Sequence, residues 1–447
     1  MLVRFSTSNY LSFDKEIEFS MIPGRTRKHA DHIVRDPTWN GIDLLRLALV
    51  FGANASGKSN LVKAMNFARD LIIRGTKPKQ RIPLMCHKLR KNCSNSPSKF
   101  EFEFKRKNNY YLYGFELNTD VIHTEWLYKT NAKTRKLLYE RKTCESGDVS
   151  VNFGLNYKNK KDWDFLNFVA KGTRSNQLFL TESIERNVEY FNDVYSWFYD
   201  VLHIIFPQST YMGGDFLPGS NNQISSSIIE YLRQFDAGVS NISFKPDTLE
   251  LNLSDMPDNV KERLMSRFRS DARLMLNTPQ GQRLILTMGK DQKMTVFRMI
   301  TKHKIKDTDE EVEFDLGFES DGTLRMLDLI PSLMRMSETD VVFVIDELDR
   351  SLHPNLSKRI IQQFLTLNPK INSQMIATTH ESILLDLNIL RRDEIWFTEK
   401  DEKGATNLYS LEEFAPRYDK DIRRGYLLGR FGSIPALGKM KRLNTAR

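Results

Sequence analysis

The stretch that most constrains this chain is a strand, a turn and a helix written without a break between residues 44 and 75. LLRLALVF (44–51) is a continuous apolar run, as a parallel strand buried on both faces requires, and it stops at Gly52. GANASGKS (52–59) follows and fits G-x-x-x-x-G-K-[ST]. SNLVKAMNFARDLIIRG then sets apolar residues at Leu61, Val62, Met65, Phe67, Ala68, Leu71 and Ile72, an amphipathic helix closed by Gly75. Glycines let main-chain N–H groups curl around phosphates, and the helix N-terminus adds its positive end. Gly52, Asn54, Ala55, Ser56, Gly57 and Asn60 are therefore expected around a bound ATP. Lys58 is expected to reach the β- and γ-phosphates, and Ser59 to ligate Mg²⁺.

A second string, VVFVIDE (341–347), is an apolar strand with acids at its carboxyl end, where ligands bind in open α/β sheets. Asp346 is expected in the Mg²⁺ shell and Glu347 as the general base that polarises the attacking water. LDRSLHP follows, and in it Asp349 is a candidate for communication across a dimer. His380 stands 34 residues after Asp346, at the end of the apolar strand SQMIATT. There it is expected to sense the γ-phosphate, although a histidine after a strand is more often structural. The third string, ESDGTLR (319–325), lies one helix before the acidic strand, with 24 residues between Gly322 and Asp346. Ser320, Gly322, Thr323 and their N–H groups would bind a γ-phosphate presented by another subunit. The competing reading is a plain N-cap with Ser320 or Asp321 capping and Gly322 in the turn; the position before the acidic strand favours the anion site.

Composition narrows the class. No apolar run approaches the ~20 residues needed to cross a bilayer, and MLVRFSTSNYLSF alternates like a strand rather than like a secretory signal. A cytoplasmic protein with no membrane partner is the expectation. The three cysteines, Cys86, Cys93 and Cys144, form no C-x-x-C pair and read as reduced thiols; Cys86, His87 and Cys93 lack a fourth zinc ligand. The net charge of +9 is modest for 447 residues but clustered. Ile422–Arg447 holds Arg423, Arg424, Arg430, Lys439, Lys441, Arg442 and Arg447 without an acid, and Arg74–Arg90 also lacks one. Both suit contact with nucleic acid.

The fold class read from this pattern is α/β: a phosphate-loop head with a mixed sheet, an antiparallel β lobe and an inserted mixed helical/β region. Four segments are expected: 1–75, the N-terminal ATPase lobe; 76–150, the β lobe; 151–316, the insertion; and 317–447, the C-terminal ATPase lobe with the basic extension. The β lobe includes a hairpin around Asn108-Asn109. Helical periods are expected over about 160–240, including EYFNDVYSWFYDVLHIIF, and NVKERLMSRFRSDARLML reads as a helix.

FSTSNYLSF, GANASGKSN, IDELDRSLHP and TTH together resemble the ATP-binding-cassette ATPases of the SMC and RecF type. More narrowly they resemble the AAA-type ATPases of bacterial abortive-infection and anti-phage systems, such as the AbiL/RloA type and the ATPase subunits of the PARIS and Septu systems. YLLGRFGSIPALG (426–438) is similar to the ending of that group. The resemblance covers about 1–75 and 315–447 and implies an ATP-dependent homodimer or higher oligomer. It further implies control of a separate effector, a nuclease or toxin, with a nucleic acid or phage protein as trigger. The 67 residues after His380 are too few for a nuclease domain, so the effector is expected as another protein. The family's L-S-G-G-Q is here E-S-D-G-T, and no glutamine loop stands out, Gln177 being a weak candidate. The alternative is a RecF/SMC-like repair or recombination clamp on DNA. A transporter cassette is disfavoured by the 288 residues between Lys58 and Asp346.

Overall fold

A computed structural model of the chain describes residues 1–37, 41–131, 133–154, 160–209, 226–235, 238–246, 273–277, 282–288, 294–308, 310–417 and 420–434. The chain divides into two compact units. One comprises Met1–Pro207, Met336–Asp349 and Ile360–Arg447; the other comprises Gln208–Arg335 and Arg350–Arg359.

The first unit is built on two sheets. A central sheet runs in the order Leu202–Ile205, Val342–Ile345, Gln374–Thr378, Leu47–Phe51, Ile395–Lys400, Thr406–Ser410. Its first five strands are parallel and the last is antiparallel to its neighbour. The three middle strands are buried at every position, which is why their sequences are continuous apolar runs rather than alternating ones. Register aligns Ile345 with Ala377 and Ala377 with Leu49, so Asp346, Thr379 and Gly52 leave three neighbouring strands at one edge.

The other sheet is antiparallel, in the order Val149–Phe153, Arg135–Thr143, Ile122–Thr130, Asn109–Leu117, Ser98–Arg106, Leu2–Ser8, Ile17–Ser20. Its predicted hairpin is present, with Arg106 paired to Asn109. One apolar cluster joins both sheets to the phosphate-loop helix Lys58–Arg74, bringing Phe100 and Phe104 together with Leu61, Met65, Ala68, Trp197 and Val344. The glycine loop is thus mounted on a helix whose inner face is locked in the core.

Several expectations change here. LHII (202–205) is an edge strand of the central sheet and not the tail of a helix. The preceding residues coil through Trp197–Val201 as a single π-turn whose Trp197 and Phe198 are buried. Arg46 interrupts LLRLALVF, leaving Leu44–Leu45 and Leu47–Phe51 as separate strands. The reading of three reduced thiols fails at one place. Cys86 and Cys93 form a disulfide with Cα atoms 5.8 Å apart, while Cys144 is free and exposed. Asn9 folds that loop: its Nδ2 donates to the carbonyls of Cys93 and Ser96 at 2.9 and 2.7 Å. The acid-free stretch Arg74–Arg90 draws its counter-charges from elsewhere in the chain, Arg74 from Asp70, Arg81 from Asp120 and Arg90 from Asp14.

In the second unit, Asn241–Pro246, Met294–Lys304, Arg283–Met288 and Arg273–Asn277 form an antiparallel sheet, and Glu311–Asp315 also pairs with Met294–Lys304. Of the helix expected over NVKERLMSRFRSDARLML, residues 259–272 lie outside the described residues, and Arg273–Leu276 are strand. The helix Asp321–Glu338 begins here. Residues 435–438 of YLLGRFGSIPALG, and with them Lys439, Lys441, Arg442 and Arg447, also lie outside the described residues.

Candidate functional site

The loop after Phe51 depends on two glycines. A Cβ on Gly52 would lie 2.5 Å from both Ser56 Oγ and Thr398 Oγ1, and Gly57 has φ +116° with Thr406 against its α-carbon. Both glycines are needed for the loop to close on the sheet. Ser56 Oγ lies 2.6 Å from Thr398 Oγ1, and Thr406 Oγ1 donates to the Ser56 carbonyl at 2.8 Å. Asn60 Nδ2 donates to Ser12 Oγ at 2.7 Å, tying the helix to the turn after the first strand. Asn54 and Ala55 are exposed at the loop's tip, and Ala55 is left-handed at φ +62°.

Lys58 is buried, and its Nζ donates back into the loop, to Gly52 O at 2.8 Å and Ala53 O at 2.9 Å. Burial lowers its pKa to about 8, against the opposing pull of Asp346, Asp349 and Glu347. Beside it, Ser59 Oγ donates to Asp346 Oδ1 at 3.0 Å, and Thr378 Oγ1 donates to the same oxygen at 2.7 Å. Thr378 Oγ1 in turn accepts the Glu347 N–H at 2.8 Å. Glu347 stands at φ +48°, a left-handed conformation that costs a non-glycine residue energy and is held here by its neighbours. The backbone N–H of His380 lies 3.3 Å from each carboxylate oxygen of Asp349. Burial lowers the His380 pKa, and the Lys58 charge lowers it further, opposed by Asp349, Glu347 and Asp346. The imidazole is thereby biased towards its neutral form.

Lys58, Ser59, Asp346, Glu347, Asp349 and His380 therefore converge at the carboxyl ends of adjacent parallel strands. Whether the set suits a nucleotide and its metal is decided by donor chemistry. Hard oxygens from a serine and an aspartate match Mg²⁺, and a buried ammonium facing main-chain carbonyls in a glycine cradle matches phosphate. Thr378, Thr398, Thr406 and Ser12 were not expected at the site. Thr378 had a visible signal, the TTH string ending at His380, and Ser12 lies within FSTSNYLSF; Thr398 and Thr406 are isolated hydroxyls with no motif around them. Gln177 is structural. Its Oε1 accepts from Thr76 N–H at 2.8 Å, just past the C-terminus of the Lys58–Arg74 helix and at the opposite end from Lys58.

In the second unit, the serine–glycine turn opens the helix Asp321–Glu338. Ser320 is exposed, and its Oγ accepts the Thr323 N–H at 3.1 Å and lies 2.9 Å from Thr323 Oγ1. That is the capping arrangement. A Cβ on Gly322 would lie 3.0 Å from the Ser351 carbonyl, so a side chain there would require a small shift of the Ser351 main chain. Phe318, next to the turn, is 80% exposed.

A family model described as "AAA domain, putative AbiEii toxin, Type IV TA system" matches residues 47–386. Among solved structures, the SMC head domain from Thermotoga maritima is 12% identical, with 92% of this chain and 98% of that one covered and a TM-score of 0.36. An SmcHead bound to the C-winged helix domain of ScpA is 11% identical, with 92% and 97% covered and a TM-score of 0.40. No curated protein matches the chain. No helix among the described residues is long and apolar enough to cross a membrane.

Proposed function

We infer the function from a plain premise, that the chain belongs to this AAA-domain family. The function best supported is Mg²⁺-dependent ATP binding and hydrolysis. One observation carries it: Ser59 and Thr378 both donate to a single oxygen of Asp346, beside a buried Lys58 whose present partners are loop carbonyls. Lys58 would turn from those carbonyls to the β- and γ-phosphates. Ser59 and Asp346 would hold Mg²⁺, which supplies charge neutralisation between the phosphates. Glu347, fixed through its N–H by Thr378, would take the proton of the attacking water. His380, kept near neutral and held by Asp349, would donate to the γ-phosphate. The test is ATP hydrolysis by the purified chain: activity is expected with Mg²⁺, and chelation or Asp346→Asn is expected to remove it. Unchanged turnover in Asp346→Asn would overturn the assignment.

The finer reading is regulatory. Ser320, Gly322 and Thr323 would serve the γ-phosphate of a second copy, so that ATP clamps a homodimer or larger assembly. The family's description names a putative toxin and a toxin–antitoxin system; the role proposed here is that of a cytoplasmic chain that restrains or releases a separately encoded nuclease or toxin. A phage protein or nucleic acid would be the trigger. Co-purification with the product of a neighbouring gene, with and without ATP, tests this; an ATP-independent failure to bind any neighbour would contradict it.

A further inference from the structure

HADH (29–32) lies on the turn of 3-10 helix before Ile33–Val34, away from every motif used above. We propose that His29, Asp31 and His32 bind one divalent transition-metal ion of the zinc class. One ligand atom from each of the three lies within 4.8 Å of those from the other two. What makes this more than a chance cluster is the way both rings are held.

His32 is 3% exposed, and its Nδ1 lies 2.8 and 3.1 Å from the two oxygens of Glu394, a carboxylate with no exposure at all. A carboxylate there accepts the Nδ1 proton and leaves Nε2 with its lone pair, 3.9 Å from Asp31 Oδ2. His29 Nε2 lies 3.0 Å from the Leu387 carbonyl, which can only accept, so the proton sits on Nε2 and Nδ1 carries the lone pair. The two rings stack at 4.9 Å. A buried carboxylate or carbonyl behind each imidazole is the support that metal-binding histidines use to set tautomer and orientation.

The scaffold is also built without metal. Arg391 donates to the carbonyls of Lys28 and Thr26 at 2.6 and 3.2 Å, and Gly24 N–H donates to Asp393 at 2.7 Å, so the segment is anchored on both sides. His29 itself is left-handed at φ +51°. Two imidazoles and one carboxylate suit Zn²⁺, Co²⁺ or Ni²⁺ rather than Mg²⁺ or Ca²⁺, and the exposed Asp31 leaves room for water to complete the shell. The site sits at the amino ends of the parallel strands: Glu394 immediately precedes Ile395–Lys400, and the His32 carbonyl accepts the N–H of Arg46, just before Leu47–Phe51. The phosphate loop occupies the opposite ends of those strands. A metal here would pin the segment around His29–His32 to the sheet without touching ATP.

The test uses the full chain, stripped with a chelator and titrated with Co²⁺ without nucleotide. One equivalent is expected to bind with visible absorption of a four- or five-coordinate nitrogen–oxygen site, and Zn²⁺ should displace it. His32→Ala should abolish the signal. Asp31→Ala should weaken it while leaving the metal-free melting temperature unchanged, because that side chain is exposed. Glu394→Gln, which acts through His32, should weaken binding about 10- to 100-fold, and Asp346→Asn should leave it unchanged. If His32 and Glu394 are only a buried ion pair, no such absorption develops; that result, or a signal lost in Asp346→Asn and retained in His32→Ala, overturns the site.

Discussion

The phosphate loop and the serine–glycine turn are both helix N-termini with a glycine at the bend, and their polar groups are satisfied in opposite ways. The helix Lys58–Arg74 starts at Gly57 with no side-chain cap, inside a cradle in which Lys58, Ser59 and Asp346 are already placed. The helix Asp321–Glu338 starts at an exposed Ser320 that caps its own turn. An anion entering the first displaces only the lysine's contacts with loop carbonyls. An anion entering the second must replace a hydroxyl cap of about 1 kcal/mol. On the function proposed here, one region is prepared for its ligand within a single chain, and the other would gain from a ligand only when a partner delivers it with enough additional contact.

The comparison can be broken or sharpened by experiment. The largest effect is expected from Glu347→Gln: turnover falling about 10²- to 10⁴-fold with ATP affinity retained. Normal hydrolysis by this variant would remove the base from the first region. Lys58→Ala should weaken ATP binding roughly 100-fold, the loss of about 3 kcal/mol of charge-assisted hydrogen bonding, measured by calorimetry. Thr378→Val removes the hydroxyl shared by Asp346 and the Glu347 N–H, and with two hydrogen bonds of about 1 kcal/mol each lost, turnover should drop roughly 10- to 30-fold.

The smallest effect is on pH. Because the Lys58 pKa in the free protein is lowered to about 8 and phosphate favours the charged form, ATP binding takes up a proton once the pH exceeds that value. Affinity should be flat below about pH 7, about twofold weaker at pH 8 and about fourfold weaker at pH 8.5 than at pH 7. A flat profile would mean that Lys58 does not meet the phosphates. The serine–glycine turn has no such titrating lysine, so its contribution to assembly should not follow this profile.

What was legible in the sequence was local. GANASGKS and VVFVIDE carry their chemistry in consecutive residues, and parallel pairing of Leu47–Phe51 with Gln374–Thr378, next to Val342–Ile345, brings them together as the apolar runs implied. LHII was illegible because three apolar residues and a histidine after a helical stretch carry no period of their own, and only pairing with Val342–Ile345 makes them a strand. Thr398 and Thr406 were invisible for a related reason: each is a lone hydroxyl that meets the loop only after the sheet has formed. The Cys86–Cys93 bond had no local signal either: Asn9, far off in sequence and left-handed at φ +50°, meets both ends of the loop, accepting from the His87 N–H and donating to the Cys93 carbonyl. Ser320 shows the converse, since its capping bond and its proposed role in a partner's site use the same oxygen.

The most direct test of the central claim is the assembly state of Glu347→Gln in the presence of Mg²⁺ and ATP, measured by analytical ultracentrifugation with and without Ser320→Arg. The account predicts ATP-dependent association of Glu347→Gln, and its loss in the double variant although ATP still binds as tightly. Association that survives Ser320→Arg, or that never depends on ATP, would contradict it.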